Sequence, residues 1–445
     1  MKPQFRALPI ALLCGVLSTT VAQAQDSTSF SISAQLRPRA EWRSGAFRPL
    51  LPGEDPAALV SSRQRLNFDY QYKNLVDLRL SLQNVSIWGQ ANTVMPVEHG
   101  GNAIGLFEAY GDVRISGNVR ARVGRQAISL DDERIFGVVD WAQGARAHDA
   151  AAIIFRKNGF EGRFYAAYNQ NYKVNYDNNI ANPAGNRYAV ADAQAYKTLQ
   201  LLWGKIPVGQ WGALSLLAYN TGLQNALSDT ADQKLHQQQT LGAHYFRNAP
   251  RWSAAVSAYY QMGENLAGIN TNAYLLAAQV GAPFGKRWRA GLGADYLSGN
   301  DFGKSNSENR AFAVPYATNH KFYGHMDYFY AGNPHGNTGL LDAYLNLGFK
   351  ASPKAQLNLA GHWFRATGDI YQIGAKQSSD LGGELDLNAS WKAYPFLELQ
   401  GGYSAFRTTE SLRLVKNTPH AGDLQHWAWL SANLNLELLR VRRPL

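Results

Sequence analysis

An antiparallel β-barrel crossing a bacterial outer membrane is the fold class this sequence predicts, and three observations predict it. From about Ser29 to the C-terminus, segments of roughly ten residues alternate apolar with polar side chains. Short turns rich in Gly, Pro, Asn or Ser alternate with long polar connections over the same stretch. Apolar residues make up 45% of the chain, yet beyond its first segment no run approaches the roughly 20 consecutive apolar residues of a membrane helix. Apolar surface dispersed on one face of many strands, with closure pairing every backbone polar group, is what a barrel requires.

The elements follow in chain order. Residues 1–24 open with Lys2 and Arg6, continue with an apolar core from Ala7 to Val16 and end on Ala22-Gln23-Ala24. This is the pattern of a cleaved secretory signal peptide. Its core holds Cys14, the only cysteine, so the mature chain would have neither disulfides nor thiol catalysis. Residues 25–445 are then expected to form a single barrel domain. Short connections fall at Lys73-Asn74, Ser116-Gly117-Asn118, Lys157-Asn158-Gly159, Ile206 to Gln210, Asn248-Ala249-Pro250, Pro283 to Lys286, Ser352-Pro353 and Ala393-Tyr394-Pro395. Long ones lie near 44–60, 87–104, 129–146, 170–193, 221–236, 263–270, 299–339, 367–379 and 408–424. This alternation separates about eighteen strands, an even number with both termini on the short-turn, periplasmic side and the long loops extracellular.

Period-two parity divides each strand into two faces. Leu66, Phe68, Tyr70 and Tyr72 suit lipid, whereas Arg63, Arg65, Asn67, Asp69 and Gln71 suit water. The same split sets Leu357, Leu359, Gly361 and Trp363 against Gln356, Asn358 and His362, and Leu385, Leu387, Ala389 and Trp391 against Glu384, Asp386, Asn388 and Ser390. On the lipid-facing parity Tyr72, Trp203, Trp252, Trp288 and Trp391 fall near short-turn ends, and Trp42, Tyr260, Tyr296 and Trp363 near long-loop ends. Two aromatic belts at opposite strand ends are the interfacial girdles of a membrane barrel.

A closed barrel of this size is expected to enclose water rather than a side-chain core, so function is read from the inward set. In the first seven strands that set includes Arg37, Arg39, Arg43, Arg63, Arg65, Arg79, Arg114, Arg120, Arg122 and Arg163, with fewer acids among them. Later strands lean acidic, with Asp295, Asp342, Glu384, Asp386, Glu398 and Glu437 against few bases such as Arg289 and Lys350. An arginine ladder would thus face a mildly acidic wall. Ion pairing within a wet wall explains some of these arginines. The choice of Arg at all ten positions points further, because a planar fork of donors fits carboxylate, phosphate or sulfate bidentately where a lysine does not. Removing Lys2 and Arg6 lowers the formal charge of +10 by two. A positive membrane wall suits a polyanion passing through its lumen better than nucleic acid.

The stretch GRQAISLDDERIFGVVDWAQGARAHD, from Gly124 to Asp149, resembles the alginate-export family of outer-membrane porins. The motif positions are Gly124, Arg125, Arg134, Gly137, Trp141, Arg146 and Asp149. A second similar segment is VPYATNHKFYGHMDYF, with His320, Gly324, Met326 and Asp327. The resemblance implies a monomeric barrel of eighteen strands whose electropositive lumen conducts an anionic polysaccharide. The turn at Ala393 to Pro395 is tight where the family's exporter has a long periplasmic turn, so no periplasmic plug is implied.

Two connections bear on the site. Leu130 to Ala145 either folds into the lumen as a constriction carrying Arg134 and Arg146, with Arg125, Trp141 and Asp149 as further constriction or motif candidates, or stays outside on Trp141 packing. In the connection 299–339, His320, His325, Asp327 and His335 lack metal-ligand spacing, and the neighbouring Tyr316, Phe322, Tyr323, Tyr328, Phe329 and Tyr330 predict a packed aromatic loop. The expected function is a porin with an arginine-rich lumen passing an alginate-like anionic polysaccharide or its oligomers by diffusion, with no cofactor, metal or catalytic residue. An uptake porin for small organic anions is the alternative. A hydrolase would need Ser, His and an acid to converge near the outer rim, and an adhesin would need no arginine ladder. The partners implied are the solute, outer-membrane lipid and lipopolysaccharide, and periplasmic export proteins where transport runs outward.

Overall fold

The computed structural model describes residues 27–90, 104–169, 196–223, 234–331 and 335–444. The signal peptide expected over 1–24 lies outside these residues, as do most of the connections at 87–104, 170–193 and 221–236.

Eighteen strands form one sheet, and β1 (Ser27–Ser44) closes it by pairing on one side with β2 (Ala57–Tyr72) and on the other with β20 (Leu424–Pro444). Between them run β3 (Val76–Ile87), β4 (Gly105–Arg114), β5 (Val119–Gln126), β6 (His148–Lys157), β7 (Phe160–Tyr168), β8 (Thr198–Pro207) and β9 (Ala213–Leu223). The circuit continues through β10 (His236–Asn248), β11 (Ser253–Glu264), β12 (Asn270–Phe284), β13 (Trp288–Leu297), β14 (Leu340–Ser352), β15 (Ala355–Arg365), β18 (Asp380–Tyr394) and β19 (Leu397–Thr408). Each strand pairs antiparallel with its neighbours in sequence, so every ladder bond is made without an open edge.

The short turns form where the sequence supplies residues that tolerate a left-handed backbone. Asn158 and Gly159 have φ of 52° and 81°, the pair of positive values that a tight hairpin turn demands. The connections predicted at 367–379 and 408–424 carry small elements that local pattern did not indicate. These are a hairpin of β16 (Tyr371–Gln372) and β17 (Ala375–Lys376), and one short helix, α1 (Glu410–Val415). The helix starts at Thr409, whose side chain accepts the amide hydrogen of Leu412.

The outward faces follow parity. Leu357, Leu359, Trp363, Leu385, Leu387 and Trp391 all present large apolar surface to the outside. Trp203 is a correction. It is 3% exposed while Leu202 beside it is 58% exposed, so the lipid-facing side chain here is the leucine. The indole Nε1 of Trp203 turns inward and donates to both carboxylate oxygens of Asp131, at 3.1 and 3.0 Å.

The expectation of a lumen without a side-chain core is also corrected. Two long connections, loop 3 (residues 127–147) and loop 7 (residues 298–339), fold inward and pack on the wall. Phe136 of loop 3 is fully buried, with its ring 5.2 Å from Tyr219 of β9 and 5.2 Å from Tyr316 of loop 7. Leu199, Leu201 and Leu217 from β8 and β9 complete that apolar contact. On the far side Phe329 packs 4.8 Å from Phe364, and Tyr328 packs 4.6 Å from Phe406. Burying one such ring contributes on the order of 1.5–3 kcal/mol, so these clusters hold the loops in place against water on their other face.

Candidate functional site

Loops 3 and 7 meet as one body inside the barrel. The Gly137 amide donates to the Tyr316 carbonyl at 2.8 Å, and the Thr318 amide to the Glu133 carbonyl at 3.0 Å. Lys321 Nζ donates to the Asp132 carbonyl at 2.9 Å, and Arg146 to the Ala317 carbonyl at 2.9 Å. Arg134 is 2% exposed, pairs with Asp295 of β13 and Asp132, and lies 4.1 Å from the Phe322 ring centroid. Of the two placements open for loop 3, the inward one is therefore realised, and loop 7 is the packed aromatic loop that its composition predicts.

The upper arginines of the ladder hold the tip of loop 3. Arg37 donates to the carbonyls of Asp140 at 2.7 Å and Ala142 at 3.1 Å, and to Gln143 Oε1 at 3.0 Å. Arg39 donates to Glu41 at 2.9 Å and to the Trp141 carbonyl at 2.8 Å, with its guanidinium 4.2 Å from the Trp141 ring centroid. Arg63, with no exposed surface, reaches Asp140 at 2.9 Å, and Arg65 lies 3.6 Å from the same carboxylate. Burial works against ionisation of Asp140, but Arg63, Arg37 and Arg65 hold its carboxyl below the usual carboxylate range. Five donors in a rigid fork can satisfy several fixed carbonyls at once, which a lysine could not do.

The remaining ladder arginines run down the wall in alternation with acids. Arg79 bridges Asp69 at 2.8 Å and Glu108 at 2.7 Å, Arg120 joins Asp77 at 2.5 Å and also pairs with Asp112, and Arg122 meets Asp112 at 2.8 Å. Arg163 pairs with Glu161 at 2.8 Å. Arg79, Arg122 and Arg163 keep 30%, 26% and 23% of their side-chain surface open to the lumen. Arg114 instead donates to the Ser116 and Gly117 carbonyls of a short turn, and the Arg43 guanidinium lies 5.0 Å from the Phe47 ring centroid.

Two expectations about the motif and the opposite wall change. Arg125 and Asp149 pair at 2.9 Å on the outer face of β5 and β6, because Arg125 has the parity of the exposed Val123 and Asp149 that of the exposed Ile153. They form no part of a constriction. The acids of the later strands, Asp295, Asp342, Glu384 and Asp386, are at most 4% exposed. They lie beneath the loops: Asp342 meets His362 at 2.9 Å, and Glu384 accepts the Met326 amide of loop 7 at 2.7 Å. These four acids form a docking surface for loops 3 and 7 and are not offered to solute, whereas Glu398 of the same predicted set lines an open cavity and Glu437 stays half exposed.

Toward the short-turn side two cavities open among the described residues. One of about 650 Å³ lies under the start of loop 3. Arg163, Lys205 and Arg289 point into it from β7, β8 and β13, and Asp131 and Asp132 at its ceiling are occupied by Trp203 and Arg134. The other, about 450 Å³, lies beneath Trp141 and His320 and is lined by Trp429, by neutral side chains of β15, β18 and β19, and by Glu398 of β19. Sequence reasoning passed over Lys205 and Trp429 as site residues. Their inward parity was readable, but nothing local marks which inward side chains the loops leave uncovered.

A closed outer-membrane barrel with inward loops and a charged lumen is the architecture of a porin. The sequence pattern of the alginate-export family matches residues 28–419, and the chain belongs to that family. No curated protein matches it in sequence. Among solved structures it is similar to Pseudomonas aeruginosa OpdL, with 14% identity over 92% of this chain and 99% of that one at a TM-score of 0.61. Pseudomonas aeruginosa OccK8 (OprE) is similar at 12% identity, 92% and 98% coverage and a TM-score of 0.60. OccK3 (OpdO) of the same organism gives 12% identity, 94% and 97% coverage and a TM-score of 0.60. At these identities the likeness is one of fold, and with the family it places the protein in the bacterial outer membrane.

Proposed function

We propose that this porin is a diffusion channel for anionic saccharides of oligomer size, alginate-like uronates among them, each barrel conducting on its own. The observation that carries this reading is the vestibule under loop 3. Arg163, Lys205 and Arg289 line it, Arg163 pairing with Glu161 at 2.8 Å, and its two ceiling acids are already bonded to Trp203 and Arg134. A surplus of positive charge in a cleft with low-dielectric walls concentrates anions. Arg79 and Arg122, paired with acids but partly open to the lumen, add further guanidinium donors on the wall of β3 and β5. Each contact at about 4 Å in water contributes only about 1 kcal/mol, so a solute is held at several points weakly and moves on, as conduction requires. A cleaved signal peptide over residues 1–24 fits export to this membrane.

The second reading, uptake of small organic anions, draws support from the inward loops, which take lumen space that a continuous polymer would need. Reversal potentials in a salt gradient across planar bilayers test the charge preference common to both. Anion preference is expected, and Lys205→Ser with Arg289→Ser should bring the ratio toward unity. Cation preference in the unmodified protein would overturn the anionic assignment while leaving the barrel intact. Block of the current by long uronate chains as well as by short ones separates the first reading from the second.

A further inference from the structure

The smaller cavity is not built for charge. Its wall consists of Gln356 and Asn358 on β15, Asn388 and Ser390 on β18, and Gln400 on β19. The register sets them side by side: Asn358 opposite Asn388, Gln356 opposite Ser390, and Ser390 opposite Gln400. Among the described residues Gln356, Asn358, Ser390 and Gln400 have no side-chain hydrogen-bond partner, and Asn388 has one, His325 of loop 7 at 3.1 Å. The charged groups that reach the cavity are three acids, Glu133, Asp140 and Glu398, and one base, Lys321, and Asp140 is already paired with Arg37 and Arg63, so nothing there attracts an anion.

Next along the upper row after Asn388 comes Gly402 and then Trp429. A Cβ at Gly402 would lie 2.3 Å from Trp429 Nε1 and 2.6 Å from Asn388 Oδ1, so the missing side chain is what lets the indole lie down beside the amides. Trp141 supports that indole edge to face at 4.6 Å, itself stacked on His320 at 4.3 Å. An aromatic surface next to a cluster of unoccupied amides and a hydroxyl has one natural complement, a ring with an apolar C–H face and a rim of hydroxyls. Each amide both donates and accepts, as a sugar hydroxyl does, and the indole adds apolar contact with a polar tip.

We propose that this cavity is a saccharide-ring subsite that recognises hydroxyls and not charge, with Trp429 as its platform and Asn358, Asn388 and Gln400 as its hydroxyl partners. It takes neutral sugars. The inference rests on the protein being an open channel but not on its anion preference.

The test is block of the full-length protein's single-channel current by maltotriose, compared with a polyethylene glycol of matched size that offers no array of hydroxyls. Maltotriose should half-block at a concentration about tenfold lower than the glycol, the factor that a pair of modest hydrogen bonds supplies. Asn358→Leu with Gln400→Leu should remove that difference while leaving the reversal potential unchanged. Trp429→Ala should do the same, and the amide pair, remote from the Trp141 packing, keeps the test informative if the tryptophan variant fails to fold. Equal block by maltotriose and glycol in the unmodified protein overturns the subsite, as does a maltotriose preference that survives the amide pair. A cation-selective channel that still prefers maltotriose would retain the subsite and remove only the charge reading above.

Discussion

Arg134 and Asp295 show how a single residue fixes the lumen. Their side chains are 2% and 1% exposed, and a buried charge left without its partner costs about 3–5 kcal/mol. Arg134→Met should therefore release loop 3, read as faster amide exchange over residues 127–147. Arg134→Met combined with Asp295→Leu should restore most of the protection, since no charge is then stranded. Lys416, after α1, makes a second prediction. Its Nζ donates to the Phe47 carbonyl at 3.2 Å and lies 5.8 Å from the Tyr328 ring centroid. Burial lowers its pKa to about 7, with Asp327 opposing. An exposed lysine takes up its proton near pH 10.4, so between that pH and about 7 the undocked state binds a proton that the docked state does not. Docking of the segment after α1 against Phe47 and loop 7 is then firmest above pH 10.4, weakens as pH falls, and levels off below about 7. Protease resistance of residues 409–423 should be greater at pH 10 than at pH 7, and Lys416→Met should flatten this difference.

At the scale of elements, loops 3 and 7 act as one unit because their backbones approach closely at Gly137. A Cβ there would meet Thr318 Oγ1 at 2.2 Å and the Thr318 amide nitrogen at 2.9 Å. Overpacking of this kind typically costs about 1–3 kcal/mol. Gly137→Val should push the two loops apart. The expected outcome is a higher single-channel conductance together with faster exchange in residues 312–330, which the substitution does not itself alter. Exchange confined to loop 3 would show the loops to be independent.

For the whole molecule, the assignment of faces makes the sharpest contrast on β15. Leu359 is 38% exposed on the outer face, and a charge there near the bilayer midplane should cost about 2–4 kcal/mol. Asn358 lines the lumen one residue away. Leu359→Arg should lower folding yield, measured as heat-modifiable mobility on unboiled gels, whereas Asn358→Arg should leave it unchanged. Similar yields would mean that the two faces have been exchanged.

The strand number, the turns and the division of Leu357 from Asn358 were legible in the sequence because each is local. Period two is enforced within a strand, and Asn158-Gly159 carries its turn geometry in its own backbone. The inward direction of the lumen arginines was legible for the same reason. Their partners were not: Arg37 and Arg39 bind loop 3 more than a hundred residues on, and Arg134 reaches Asp295 across 161 positions. Trp203 has an apolar ring that suits lipid, yet it shares the inward parity of Leu199 and Leu201, and the infolded loop supplies Asp131 as its partner. The covered acids of β13, β14 and β18 and the uncovered amides of β15, β18 and β19 share one parity. Sequence settles which way such side chains point, whereas what fills the space they point into depends on where two distant loops come to rest, and that is set by packing no local pattern records.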